Sequence, residues 1–150
     1  MYEFWLYVHI LLLVFWVGTD LGVFVAARYS ERTDLSYETR ATVLQLGMVL
    51  DRLPRSALAL IIPSGLSLGA SMDAVHPPGF LIPLTWLLGA TWLVILWRGF
   101  LSTDPQVQER SAIINWLLNM VMALLVSGAG IYLLLATNTP AWIVWKVLAV

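Results

Sequence analysis

Phe4-Trp5-Leu6-Tyr7-Val8-His9-Ile10-Leu11-Leu12-Leu13-Val14-Phe15-Trp16-Val17-Gly18 opens the chain with no lysine, arginine or carboxylate, and the apolar run continues past Asp20 to about Ala27. A helix needs roughly 20 apolar residues to cross a bilayer, so this stretch decides the fold class: a membrane helix. It exceeds the ~7–15 residues of a signal-peptide core and lacks the basic flank that precedes one. Glu3 stands there instead. We read it as a retained first span.

Three further stretches repeat the pattern, at about 56–71, 81–101 and 113–136, and a fifth apolar run, 142–150, is still open at Val150. A run that short is a partial span, and the absence of polar residues at its end points to a chain that continues. The sequence therefore predicts an all-α membrane protein: one transmembrane helical domain over residues 1–150, a bundle of four full spans plus a partial fifth. Composition agrees. The 150 residues are 60% hydrophobic and 11% charged, against about 25% charged in soluble domains. A net charge of −1 argues against nucleic acid as a partner, and with no cysteine there are no disulfides, zinc thiolates or thiol nucleophile.

The connections set an orientation. Arg28, Arg32, Arg40, Arg52 and Arg55 crowd the first, and Arg98 and Arg110 bracket the third. The second, around His76-Pro77-Pro78-Gly79, has no arginine or lysine. By the positive-inside rule the first and third connections face the cytoplasm and the N-terminus lies outside. Ser36 is an N-cap candidate for a cytoplasmic or interfacial linker helix over 37–50, closed by Asp51-Arg52-Leu53-Pro54. Asp104-Pro105 is a second helix start, N-cap then proline, with the helix running on into the fourth span. Ser64-Gly65 followed by Pro83 and Trp86 is echoed by Ser127-Gly128 followed by Pro140 and Trp142, a faint parallel repeat.

Ionisable residues inside a membrane are costly and mark function. His9 and Lys146 lie a similar number of residues below the outer face in this topology. Two Lewis-basic nitrogens at matched depth can grip one metal from opposite faces of a plate-shaped cofactor, and haem held between helices is the candidate; burial favours the neutral lysine amine that ligation needs. The competing readings are a packed histidine bonded to a neighbouring helix and a lysine snorkelling to headgroups. Trp16 and Asp20 follow His9 by 7 and 11 residues, which puts all three on one face of an ideal helix. Trp16 is a candidate cofactor contact. Asp20 is a candidate proton-path group or a partner for Arg55 or Arg98. Gly18 and Gly22 form a small-xxx-small pair suited to helix packing. Asn115 and Asn119 can hydrogen-bond between helices, and His76 reads as a surface histidine.

Tyr7-Val8-His9-Ile10 with Phe15-Trp16-Val17-Gly18, and Pro140-Ala141-Trp142-Ile143-Val144-Trp145-Lys146-Val147-Leu148 after Ser127-Gly128 and Gly130, resemble segments of a superfamily of small bacterial membrane proteins. It includes the HemJ-type protoporphyrinogen IX oxidases and the CopD-like copper-resistance domains. The resemblance implies haem b as cofactor, His9 and Lys146 as its axial (metal) ligands, and an oxidoreductase activity in electron transfer or porphyrin oxidation. The oxidases carry a Pro-Arg pair and a second histidine late in their first helix; this chain has Val25-Ala26-Ala27-Arg28-Tyr29 there. Two other readings stay open beside it. One is a non-catalytic accessory subunit or homo-oligomer that packs among lipids through Gly18 and Gly22. The other is a small-ion or metal permease that uses Asp20, Asn115 and Asn119.

Overall fold

A computed structural model describes residues 1–135, and of residues 129, 130 and 132–134 the backbone alone. Every regular element among them is a helix: α1 Tyr2–Ser30, α2 Tyr37–Leu50, α3 Arg52–Ser71, α4 Leu81–Leu101 and α5 Pro105–Leu135. Four helical stretches are long and apolar enough to cross a membrane: Tyr2–Ser30, Tyr37–Ser71, Leu81–Leu101 and Pro105–Gly128. The partial fifth span expected at 142–150 lies outside the described residues. The chain divides into two compact units, Met1–Leu101 and Ser102–Val150.

In the first unit, α3 packs against both α1 and α4, while α2 packs chiefly against α1. The contacts between α1 and the α2–α3 segment share one antiparallel register. The Gly47 backbone meets the Ala26 methyl, Gly22 approaches Leu50, and His9 bonds to Ser64. Each pair of numbers adds to 72 or 73, on α2 and α3 alike. Along this register the covered α1 positions run Trp5, His9, Leu12, Trp16, Thr19, Val23, Ala26, at alternating steps of four and three. Their counterparts Gly47, Leu50, Pro54, Ala57, Ile61 and Ser64 are buried or half-buried at the same steps. A 3.5-residue repeat is the signature of two helices wound left-handedly about each other. Bulk on α1 meets smallness on α3; the register places Trp16 level with Ala57.

The helix expected over 37–50 forms as α2 and leads directly into α3. Its first turn is capped as its sequence predicts, with the Ser36 hydroxyl accepting the Thr39 amide at 3.2 Å. It ends at Leu50, with Asp51 alone between it and α3. Asp51 keeps helical angles (φ −60°, ψ −16°) and its amide still donates to the Gly47 carbonyl at 2.9 Å. Pro54 falls in the first turn of α3, where a missing N–H costs least. The seam passes the junction without a change of phase.

α3 and α4 form a second antiparallel pair. The indole of Trp86 donates to Ser67 Oγ at 3.0 Å and that of Trp97 to Ser56 Oγ at 3.1 Å. The two tryptophans are eleven residues apart, as are the two serines, so the bonds are rungs about three turns apart on the same faces. Between them, Pro63 has no N–H to offer the Ala59 carbonyl one turn back. α4 comes close there: a Cβ on Gly89 would stand 2.8 Å from Ala59 O. Position 89 accepts only hydrogen.

α5 is continuous from Pro105, its start capped by Asp104 Oδ1 on the Gln106 amide at 2.9 Å. Ser111 and Asn115 are its buried polar residues, one turn apart, and Asn119 a turn further is half-buried.

A candidate ligand site at His9

His9 is half-buried in the α1–α3 seam. Its Nδ1 lies 3.0 Å from Ser64 Oγ, and Ser64 is completely buried. The Ser64 hydroxyl also lies 2.9 Å from the Ile61 carbonyl, to which it donates. A hydroxyl has a single hydrogen. With that hydrogen on Ile61, the His9 contact requires Nδ1–H, which leaves Nε2 as the nitrogen that carries the lone pair whenever the ring is neutral. Metal-ligating histidines are commonly held in this way, one nitrogen donating to a protein oxygen and the other presented outward.

Gly65 makes room for the ring. A Cβ there would stand 3.0 Å from His9 Cε1 and 3.5 Å from Nδ1. Pro63-Ser64-Gly65 thus supplies three things in consecutive residues: a released carbonyl, a hydrogen-bond acceptor for the imidazole and a notch for it.

The surroundings are aromatic. Trp5, one turn above His9 on the seam, lies 5.5 Å from Trp86, ring centroid to centroid. Trp86 is tied to Ser67, whose hydroxyl donates to the Pro63 carbonyl at 2.8 Å. Three helices thus contribute to this end of the unit: Trp5 and His9 from α1, Ser64, Gly65 and Ser67 from α3, and Trp86 from α4.

Trp16 is half-buried on the same seam, two turns below His9. Asp20 does not share this face. It is exposed, and Thr19 holds the seam position. Eleven residues complete three turns of an ideal helix, but the seam repeats every 3.5 and moves off that line. Asp20 makes no ion pair among the described residues; Arg55 pairs with Asp51 at 2.5 Å instead. Gly18 is exposed with open space where a side chain would be, and a Cβ on Gly22 would stand 4.0 Å from Leu50 Cδ1. His76 is exposed in the turn between α3 and α4. Ser127 and Gly128 are exposed, unlike Ser64, so the apparent repeat does not extend to burial. Lys146 lies outside the described residues.

Ser64, Gly65, Ser67 and Trp86 are the site residues that periodicity alone passes over. The signal for them was a proline followed by two small residues inside an apolar span. Comparison with family models, with curated proteins and with solved structures finds no match for the chain. What is established is the class: an all-helical chain with four helical stretches long and apolar enough to cross a membrane.

Proposed function

We propose that the protein is a b-type-haem-binding protein of the bacterial inner membrane in which His9, through Nε2, and Lys146 would hold the haem. The orientation of the His9 imidazole by Ser64 carries the reading. The donor set suits a haem. No group of three or more His, Cys, Asp or Glu occurs among the described residues, whereas a haem brings four nitrogens of its own and asks the protein for one or two. When bound, the haem supplies one-electron redox chemistry, in electron transfer or porphyrin oxidation. The chain's part would be to orient the imidazole, with the Trp5–Trp86 pair one turn away. Ser64 keeps the proton on Nδ1, and Gly65 lets the ring sit against α3. In this reading the N-terminus is outside and the arginine-bearing ends of α3 and α4 are inside.

The test is an absorption spectrum of the detergent-purified protein, oxidised and then dithionite-reduced, with a pyridine haemochromogen assay. The expected result is a near-stoichiometric Soret chromophore that is lost in both His9→Ala and Lys146→Ala. Protein from haem-replete cells with no chromophore overturns the proposal.

A second reading, a homo-oligomer or a subunit of a larger complex, is favoured by Gly18. This glycine is exposed, with nothing within 4 Å of where its Cβ would be, and so can admit a helix from another chain. Gly18→Leu should then reduce the assembly's mass in detergent, and an unchanged mass counts against it.

A further inference from the structure

α1 and α4 each carry one charge within an apolar stretch, and the two are of opposite sign. Asp20 is the only carboxylate, lysine or arginine between Glu3 and Arg28, and Arg98 is the only one between Asp73 and Asp104. Both helices are long and apolar enough to cross a membrane, where an ionised side chain is costly unless paired. Yet both residues are exposed, and neither makes an ion pair or a side-chain hydrogen bond among the described residues. The other charges at this end of the unit are engaged. Arg28 holds Glu31, Arg55 holds Asp51, and Arg52 lies over the Phe100 ring at 5.4 Å.

Asp20 and Arg98 stand at nearly one level. The α1 register sets Asp20 opposite Arg52 and Leu53, and the two indole–serine rungs set Arg98 opposite Arg55. The difference is less than one helical turn. The two charges do not meet within the chain, because α1 and α4 each pack on α3 and not along one another.

Each charge sits in an uncovered stripe of the same period. On α1, Ile10, Leu13, Val17, Asp20, Phe24 and Ala27 are all exposed, at alternating steps of three and four. On α4, Leu84, Leu87, Thr91, Val94, Arg98 and Leu101 are all exposed at the same steps. Brought to a common level through α3, the steps coincide. Ile10 falls with Thr91, Leu13 with Val94, Val17 with Arg98 and Asp20 with Leu101. This is the 3.5-residue repeat along which two helices wind together. Both helices run antiparallel to α3 and therefore parallel to each other. Two copies inserted the same way round can thus lay α1 of one along α4 of the other with no shift in level.

We propose that the Asp20 stripe of α1 is a docking face for the Arg98 stripe of α4 from a second copy of this chain, with Asp20 and Arg98 paired between the copies. The occupant follows from charge and period, since the chain itself carries both complementary halves. The two faces differ, so the contact is head to tail and leads to a ring or a row of copies. The inference does not depend on haem binding. It uses a face of α1 nearly opposite the one that bears Gly18, two residues away.

The experiment pulls down two differently tagged full-length chains, co-expressed and purified in mild detergent. Wild-type chains should co-purify. Asp20→Arg in both chains, or Arg98→Asp in both, should weaken co-purification about tenfold. Mixing Asp20→Arg chains with Arg98→Asp chains should restore it, which a pair formed inside one chain cannot do. The sequence has no cysteine, so cross-linking gives a second readout that leaves both charges in place. Leu13→Cys chains should cross-link to Val94→Cys chains, and neither should cross-link to itself. Gly18→Leu should leave this cross-link unchanged. Wild-type chains that do not co-purify, charge reversals without effect, a mixture that is not restored, or no cross-link between positions 13 and 94 would each overturn the proposal.

Discussion

The imidazole of His9 occupies the space that a side chain at position 65 would fill: a Cβ on Gly65 falls 3.0 Å from His9 Cε1. Gly65→Ala should push the ring off its bond to Ser64. Small-to-large changes at packed sites cost about 1–3 kcal/mol, so a lower unfolding temperature is expected. If haem is bound, the Soret band should weaken or move as well. Ser64→Ala, which keeps the notch and removes the acceptor, should alter the spectrum with a smaller loss of stability.

Gly89 is less forgiving than Gly65, because its neighbour is backbone. A Cβ at position 89 would stand 2.8 Å from the Ala59 carbonyl oxygen, which cannot swing away as a side chain can. Gly89→Ala should cost about 2 kcal/mol or more. Gly18→Ala, where there is only open space, should change stability by less than about 0.5 kcal/mol. Thermal unfolding of the two variants side by side checks the contrast. Equal effects would mean that α3 and α4 are not in this close contact.

The two indole–serine rungs should behave as independent bonds. Trp86→Phe and Trp97→Phe each leave a buried or half-buried serine without its indole donor, at about 0.5–1.5 kcal/mol. The rungs lie three turns apart, beyond the range at which mutations usually couple. The double variant should therefore lose about the sum of the two, as measured by chemical denaturation in detergent.

Asp34, in the turn between α1 and α2, accepts from Arg32 at 3.0 Å, and this hydrogen bond holds its carboxyl below the usual range. A carboxyl with a depressed pKa adds stability above its unfolded value of about 3.9 and loses it as pH falls through the folded one. Asp34 should therefore remain ionised at a pH where exposed carboxylates have begun to protonate. Arg32→Gln should return it to the ordinary range in a carboxyl NMR titration.

An insertion tests the seam itself. One alanine placed between Leu50 and Asp51 turns the residues on either side by about 100° relative to one another, so α2 and α3 can no longer both face α1. The variant should unfold well below the wild type in a thermal scan. Seven inserted residues would restore the phase on both sides and should be tolerated far better. Equal damage from both insertions would argue against a continuous seam.

Long helices were legible because each carries its own markers. Asp104-Pro105 starts α5, and the arginine-poor, proline-rich turn separates α3 from α4. The site was half legible. His9 and Trp16 stood out by chemistry and spacing and do lie on one covered face. Asp20 was misassigned because an ideal helix and a wound pair differ by one position after eleven residues. The Asp-Arg-Leu-Pro segment does end α2 at Leu50, but nothing in it signals that α3 starts at once and keeps the same phase against α1. Ser64 and Gly65 gave little sign, since their roles come from a partner helix more than fifty residues away.

The uninterrupted phase through Asp51 has a mechanical consequence. α2 and α3 together form one rod of about 50 Å, with Ser64 toward one end and Tyr37 at the other. Movement of α1 along this shared seam is therefore felt both where Gly47 meets Ala26 and where Ser64 bonds His9.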